Sequence, residues 1–169
     1  LVCISPWPSM ASTVWGDHSR FLETYFSTWP QVWRHGDRAS FDAEGFWTLH
    51  GRSDDVMNVA GKRLGPVEVE AAALSLPAVV QAAAVGLPHP TKGEAVALFV
   101  VLAPGESMTE TLREDIVAAV VRALGKAFAP TAVVVVPDLP RTRTAKTVRR
   151  AIRAVALGES PGDLSTVDN

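Results

Sequence analysis

Two apolar segments separated by a short polar turn constrain the fold of this chain more than any other feature. Residues 80–87 and 94–102 are rich in Val and Ala, and the sequence His89-Pro90-Thr91-Lys92-Gly93 lies between them. Apolar runs of this length, bounded by turn residues, are typical of buried β-strands. We therefore predict two paired strands at the centre of a sheet.

Weaker patterns predict the other elements. The expected order is a β-hairpin (40–49), two short strands (56–59 and 63–64), a helix (66–76), the two central strands, a helix (109–124), a third strand (132–136) and a last helix (147–157). In the first helix, Val67, Ala71 and Leu74 have the spacing of a buried stripe. Residues 1–36 show no sustained period and are expected to be irregular. The predicted fold class is α+β, with a small mixed sheet of about three strands flanked by helices.

Composition and charge exclude several classes of protein. The 169 residues include 16 Lys and Arg against 18 Asp and Glu, a formal charge of −2, which argues against nucleic-acid or anionic-membrane partners. The single cysteine, Cys3, cannot form an internal disulfide, and no apolar run reaches the roughly 18 residues of a membrane span. We expect a soluble cytoplasmic protein.

The aromatic residues are distributed very unevenly. All five tryptophans and ten of the twelve aromatic residues precede position 48. Such a concentration suggests a surface that packs on something absent from this sequence. The chain also starts at Leu1 rather than Met. Both features predict that it is part of a larger protein.

The segment from Arg141 to Arg153 (RTRTAKTVRRAIR) holds six of the sixteen basic residues and no acidic residue. One interpretation is the solvated face of a terminal helix. The other is an anion site, because a lysine on a loop just before a helix can bring one charge to a phosphate. These residues alone leave both open.

A second candidate region runs from Gly51 to Glu70 (GRSDDVMNVAGKRLGPVEVE). Neighbouring residues such as Asp54 and Asp55 point to opposite sides of a strand, so we discount a metal site there. Gly61 is either an ordinary hairpin glycine or a place where a ligand approaches the backbone closely. Arg52 and Arg63, taken singly, are most simply surface charges.

Five motifs in order carry a family resemblance: GD at Gly36-Asp37, DAEGFWTLHGRSDD, VAGKRLGPVEVE, PHPTKGEAVALFVVL and DLPRTRTAKTVRR. Together they resemble the C-terminal part of AMP-forming acyl-CoA synthetases, in the adenylate-forming enzyme superfamily. The segments from Trp7 to Phe26 and from Gly162 to Asn169 are similar to acetyl-CoA and propionyl-CoA synthetases in particular.

This resemblance implies a ligase that joins acetate or propionate to ATP, with Mg²⁺, and then transfers the acyl group to coenzyme A (CoA). The partners it implies are these small molecules and the enzyme's own large N-terminal domain. Residues 1–53 would be the end of that domain and a linker, residues 54–160 a mobile lid, and residues 161–169 a tail.

The resemblance also assigns roles to individual residues. Lys146 matches the adenylation lysine, which reaches the α-phosphate and the attacking carboxylate. Asp37 matches the aspartate that binds both ribose hydroxyls, and Arg52 and Arg63 match arginines that face the nucleotide phosphates. Acylation of Lys146 would remove its charge, which adds a lysine acyltransferase and a deacylase to the expected partners.

Two further matches concern movement and CoA. Asp54 matches the hinge residue, whose backbone torsions absorb the domain rotation. Ala60 and Gly61 match a short strand that lines the tunnel for the pantetheine arm of CoA, so a side chain at Gly61 would block that tunnel.

The chain departs from the family pattern at three positions. Ala145 stands where a glycine usually precedes the lysine, which is expected to stiffen the loop. Val121 replaces an arginine that faces CoA, and the neighbouring Arg122 would project about 100° away on a helix. Leu76 stands where relatives place a histidine near a cation, so we predict no metal site.

A rival interpretation is a free-standing interaction module that binds an acidic partner or nucleic acid through residues 141–153. The aromatic-rich first 47 residues argue against it, because a free module is not expected to expose ten aromatic side chains.

Overall fold

The structure is a computed structural model that describes residues 1–169, which form two compact units, Leu1–Asp54 and Asp55–Asn169. The first contains β1 (Val2–Cys3), α1 (His18–Phe26), β2 (Trp33–Arg34), β3 (Asp37–Phe41) and β4 (Trp47–Arg52). The second contains β5 (Met57–Val59), β6 (Lys62–Leu64), α2 (Pro66–Leu74), β7 (Val79–His89), β8 (Gly93–Leu102), α3 (Glu110–Leu124), β9 (Ala132–Val135) and α4 (Arg149–Ala156). No helix combines the length and apolar character that crossing a membrane requires.

Helix α1 lies where the sequence predicts irregular structure. Asp17 caps it, because its Oδ1 accepts a hydrogen bond from the backbone N–H of Arg20 at 2.9 Å. Tyr25 stacks on Trp33 with 4.0 Å between ring centroids, and Phe21 packs against the edge of the same ring. A nine-residue helix is marginal by itself. The expectation was wrong because packing on Trp33, rather than an apolar period, stabilises this helix.

The predicted β-hairpin is confirmed as β3 and β4, which pair antiparallel with Phe41 opposite Trp47. The Asp42 carboxylate forms the turn by accepting hydrogen bonds from the backbone N–H groups of Glu44 and Phe46. Phe41, Phe46 and Trp47 are between 61% and 72% exposed. The hairpin therefore presents an aromatic surface within the first unit.

Strand β8 is the centre of a five-stranded sheet in the second unit. It pairs antiparallel with β7 along its length, parallel with β9, and with β5 at Gly93, while β6 extends the sheet beyond β5. The predicted pairing of the two apolar strands is confirmed, and with β9 they make the sheet mixed, but only β8 is central, because β7 pairs with β8 alone and lies at the edge. The two predicted short strands join the same sheet and bring it to five.

The two faces of this sheet are covered by different helices. Ala82 and Ala84 of β7 pack in the core formed with α2 and α3, whereas Ala83 and Val85 pack with Ile152 of α4. Successive residues of a strand point to opposite faces, so β7 contributes to both cores. The predicted helix at 109–124 is confirmed as α3, with Ile116 and Val120 fully buried.

The buried face of α2 is not the predicted stripe. Val67 and Leu74 are 49% and 45% exposed, whereas Val69 and Ala73 are fully buried. Glu70 lies on the buried side of α2. Because a pattern of apolar residues does not count a charged residue as buried, it could not identify this face. In α4, Ile152 is buried and Val155 is exposed.

Candidate functional site

Lys146 lies on the loop between β9 and α4, and its backbone is held on both sides. Its N–H donates to the Thr142 hydroxyl at 3.3 Å, and its carbonyl accepts from the Thr142 N–H at 3.0 Å. Arg141 and Thr147 form a β-bridge that closes the loop. The Lys146 side chain is exposed and makes no hydrogen bond or ion pair. The loop thus presents a free ammonium group from a fixed backbone.

Ala145, just before this lysine, has a φ of 60°. This left-handed conformation costs a residue with a Cβ roughly 1–2 kcal/mol and is free of that cost for glycine. The conformation explains why the family pattern has glycine here. In this chain the turn is kept, with the Ala145 N–H donating to the Thr142 carbonyl at 2.8 Å.

Ala60 and Gly61 form the two-residue turn between β5 and β6. Their φ values of 52° and 76° are those of a hairpin turn that needs two left-handed residues. A Cβ placed on Gly61 would have no atom within 4 Å. Arg63, on β6 opposite Asn58, is exposed and has no ion-pair partner.

Three predicted site residues come together in the first unit. Arg52 Nε is 3.0 Å from Asp54 Oδ1, and Arg52 Nη1 is 3.7 Å from Asp37 Oδ1. The other oxygen of Asp37 is 3.1 Å from His35 Nδ1. A Cβ on Gly36 would lie 2.8 Å from the Arg52 guanidinium nitrogens, so glycine is what lets Arg52 approach.

Two arginines one turn apart on α4 fasten that helix to its neighbours, Arg149 to α2 and Arg153 to the sheet. Arg149 binds Glu70 and Asp55, and the hydrogen bonds that it donates to Glu70 are the main cause that raises the pKa of Arg149. Arg153 donates to the Gly86 carbonyl at 2.9 Å and lies 3.7 Å from Glu94. Sequence reasoning treated these arginines only as part of a basic segment.

Glu94, on β8, connects Arg153 to strand β5. Its Oε2 accepts a hydrogen bond of 2.7 Å from the N–H of Asn58, in β5. Helix α4, which begins three residues after Lys146, is therefore linked through Arg153 and Glu94 to the strand that leads into Ala60 and Gly61.

Asp138 is a further residue that sequence reasoning missed. It accepts hydrogen bonds from the Arg141 guanidinium, the Leu139 N–H and the Asn169 amide, and the first of these is the largest cause that lowers its pKa from 3.8 to about 2. A contact between residues 31 positions apart leaves no local pattern by which it could have been found.

The predicted site residues fall into both units. Asp37, Arg52 and Asp54 belong to the first, and Ala60, Gly61, Arg63 and Lys146 belong to the second. No group of three or more His, Cys, Asp or Glu side chains is arranged so as to hold a metal ion.

Comparisons with known proteins place this geometry in a family. Residues 68–146 match the model of the AMP-binding enzyme C-terminal domain. An acetyl-coenzyme A synthetase from Xanthobacter autotrophicus is 45% identical over 169 residues, which is 99% of this chain and 26% of that protein. The chain spans about a quarter of the length of the curated relatives that it matches.

Solved structures agree with this result. The acetoacetyl-CoA synthetase from Streptomyces lividans superposes with a TM-score of 0.88 at 31% identity, over 99% of this chain and 26% of that one. The anthranilate CoA ligase AuaEII, in complex with anthranoyl-AMP, has a TM-score of 0.72 at 28% identity, over 86% of this chain and 28% of that one. Residues 68–146 therefore belong to the AMP-binding enzyme C-terminal domain family, and the chain that contains them is a relative of the acetyl-coenzyme A synthetases over about a quarter of their length.

Proposed function

We propose that this chain is the C-terminal part of an AMP-forming short-chain acyl-CoA synthetase that activates acetate or propionate. The observation that carries the proposal is the free Lys146 ammonium group on a fixed loop, in a chain 45% identical to an acetyl-coenzyme A synthetase. The substrates are the carboxylic acid, ATP with Mg²⁺, and CoA. The large N-terminal domain is the main partner, because the chain spans only a quarter of its relatives.

In the first half-reaction, a carboxylate oxygen of the acid attacks the α-phosphorus of ATP. The bond from that phosphorus to the bridging oxygen breaks, and pyrophosphate leaves with its electron pair. Two anions must meet in this step, so a positioned ammonium group lowers the barrier by stabilising the charge that develops between them. We assign this role to Lys146.

In the second half-reaction, the thiol of CoA loses its proton to solvent and attacks the acyl carbon of the adenylate, and the bond from that carbon to the phosphate oxygen breaks, so that AMP leaves. We assign Ala60 and Gly61 to the path of the pantetheine arm, which the open space beside Gly61 supports. Asp54 is the proposed hinge, and the division between the two units falls directly after it.

Asp37, Arg52 and Arg63 are the proposed nucleotide contacts. A carboxylate with two acceptor oxygens suits the two ribose hydroxyls, and the two guanidinium groups suit phosphate oxygens. The exposure of Lys146 also supports control by a lysine acyltransferase and a deacylase. The free thiol of Cys3 suits the reducing cytoplasm, which is the proposed location.

A chimera tests the proposal. In it, this chain replaces the matching quarter of the Xanthobacter autotrophicus acetyl-coenzyme A synthetase. Acetate-dependent exchange of pyrophosphate into ATP reports the first half-reaction, and acetyl-CoA formation from supplied acetyl-AMP reports the second. The chimera should catalyse both.

Lys146→Ala should lower the exchange by roughly 100-fold or more, the scale of losing one preorganised charge, and leave the second half-reaction nearly intact. Lys126→Ala, at another exposed lysine, is the matched control and should change neither rate. An inactive chimera that folds, or equal damage to both half-reactions by Lys146→Ala, would contradict the proposal.

A further inference from the structure

The loop that carries Lys146 is fastened to residues 161–169, a segment to which the sequence assigned no role. Asp138 is the centre of this connection. One of its oxygens accepts from Arg141 Nη2 and from the Leu139 N–H, both at 2.8 Å, and the other accepts from Asn169 Nδ2 at 2.6 Å.

Both the nitrogen and the oxygen of the Asn169 side-chain amide make hydrogen bonds. Its Nδ2 also donates to the Leu139 carbonyl at 2.9 Å, and its Oδ1 accepts from the backbone N–H of Arg141 at 2.9 Å. One planar amide therefore holds the side chain of Asp138 and the backbone on either side of Pro140. No other amide side chain in the chain has this set of partners.

The backbone adds a strand-like pairing. The Asp168 N–H donates to the Arg141 carbonyl at 2.8 Å, and Thr142 forms a β-bridge with Val167. Arg150, at the start of α4, donates to the Pro161 carbonyl at 2.6 Å and to the carbonyl of Asp163. Residues 161–169 thus contact both the loop before Lys146 and the helix after it.

The consequence for Lys146 follows from Thr142. This residue is bridged to Val167 on one side and bound to the backbone of Lys146 on the other. If residues 167–169 detach, Thr142 loses the support on its outer side, and the loop gains freedom next to the lysine. A misplacement of about 1 Å can cost roughly 100-fold in rate when a catalytic group must meet a reacting atom.

We propose that the segment 161–169, acting through Asn169 and Asp138, is a positioning element for Lys146. The proposal deepens the proposed function and rests on it for its catalytic consequence. The contacts of Asn169 and Asp138 that fasten residues 161–169 to the loop form a clamp. This clamp is a property of the chain and can be tested without measuring any activity.

Limited proteolysis of the purified chain tests the clamp. Trypsin cleaves after Arg143 and Lys146, and both bonds lie in the fastened loop. Asn169→Ala and Asp138→Ala should each raise the initial cleavage rate at Lys146 roughly ten-fold or more, because each removes three hydrogen bonds of the loop. Asn169→Asp should raise it further, because a carboxylate would then face the Asp138 carboxylate.

Glu110→Gln is the matched control, since it disrupts an exposed ion pair with Arg113 on α3. It should leave cleavage at Lys146 unchanged. The thermal midpoint of every variant should stay well above the temperature of the cleavage assay, which separates loop release from global unfolding. Unchanged cleavage in all three clamp variants would overturn the proposal.

The chimera described above tests the catalytic consequence. Asn169→Ala should lower kcat of pyrophosphate exchange roughly ten-fold with little change in KM for ATP, while acetyl-CoA formation from acetyl-AMP is unaffected. Equal loss in both half-reactions would overturn the positioning role. A parent chimera without exchange activity would refute the proposed function instead, and the cleavage result on the isolated chain would stand.

Discussion

The Arg149 guanidinium donates two hydrogen bonds to the carboxylate of Glu70, at 2.8 Å and 2.7 Å, across 79 residues of sequence. Glu70 is buried and also accepts from the N–H of Ala84 at 2.9 Å. Arg149 Nη1 lies 3.3 Å from Asp55, the first residue of the second unit. This ion cluster joins α2, β7 and the start of α4, three residues after Lys146.

Arg149→Ala should strongly destabilise the second unit. It leaves the buried Glu70 carboxylate with one backbone donor, and breaking a buried pair from one side costs about 3 kcal/mol. Denaturant unfolding of the chain measures the loss. The double variant Glu70→Gln/Arg149→Met should lose less, because no buried charge is left unpaired and the new amide oxygen can still accept from Ala84. Glu110→Gln, in an exposed pair, should change the free energy of unfolding by less than about 0.5 kcal/mol.

Gly61→Leu should separate the role of this turn in folding from its role toward CoA. No atom lies within 4 Å of a Cβ at Gly61, so within the chain the substitution costs only the left-handed conformation, about 1–2 kcal/mol. In the chimera, pyrophosphate exchange should survive, and acetyl-CoA formation from acetyl-AMP should fall at least ten-fold because the side chain fills the path of the thiol.

Gly105→Leu is the matched control for that experiment. Gly105 also has a positive φ, of 88°, and open space around its Cβ position, but no site role. Its substitution should cost similar stability and leave both half-reactions unchanged. Wild-type acetyl-CoA formation by the Gly61→Leu variant would show that the assignment of this turn to CoA is wrong.

Gly36→Ala should disturb the Asp37 and Arg52 pair. The new methyl group would lie 2.8 Å from the Arg52 guanidinium, so that side chain must move away. The chimera should show a several-fold higher KM for ATP. Gly16→Ala provides the comparison, because Gly16 has a φ of 76° and no neighbour within 4 Å. If both variants raise KM equally, the Arg52 position does not matter for nucleotide binding.

The fold was predictable where patterns are long and uninterrupted. Strands β7 and β8 are long apolar runs bounded by turn residues, and α3 carries a helical apolar period over 15 residues, so their existence and type follow from the sequence. Helix α1 could not be predicted in this way, because its stability comes from the ring of Trp33, which contacts it from outside the helix. The face of α2 was misjudged because Glu70 is buried only by virtue of Arg149, 79 residues later.

The candidate site was likewise predictable only in part. The motif around Lys146 could be recognised, and the left-handed Ala145 gives a physical reason for the glycine of the family pattern. Asp138 and Asn169 could not be identified in advance, because each is an ordinary polar residue until the tail folds back onto the loop. Local spacing identifies loops and turns, whereas the contacts that hold a loop in place come from distant parts of the chain.

The Asp138 carboxyl group should titrate at an unusually low pH in the folded chain. Folding lowers its pKa from 3.8 to about 2, with the Arg141 guanidinium as the largest cause, followed by the Leu139 N–H and the Asn169 amide. A carboxyl group with a lowered pKa favours the folded arrangement fully above its unfolded value and loses that contribution as the pH falls through the folded value. The clamp should therefore hold at pH 5 and above, and weaken between about pH 4 and pH 2.

Carbon-13 NMR of the Asp138 carboxyl group measures this directly. In the parent chain the midpoint should lie near 2, and in Arg141→Ala it should rise toward 3.8 because the strongest donor is gone. Asn169→Ala should raise it by less, because the Asn169 amide is the weakest of the three hydrogen-bond donors that lower this pKa. Arg122→Ala removes an arginine from the last turn of α3 and should leave the midpoint in place. A parent midpoint at 3.8, or no response to Arg141→Ala, would mean that the Asp138 carboxylate is solvated rather than bound, and that residues 161–169 are not fastened to the lysine loop through it.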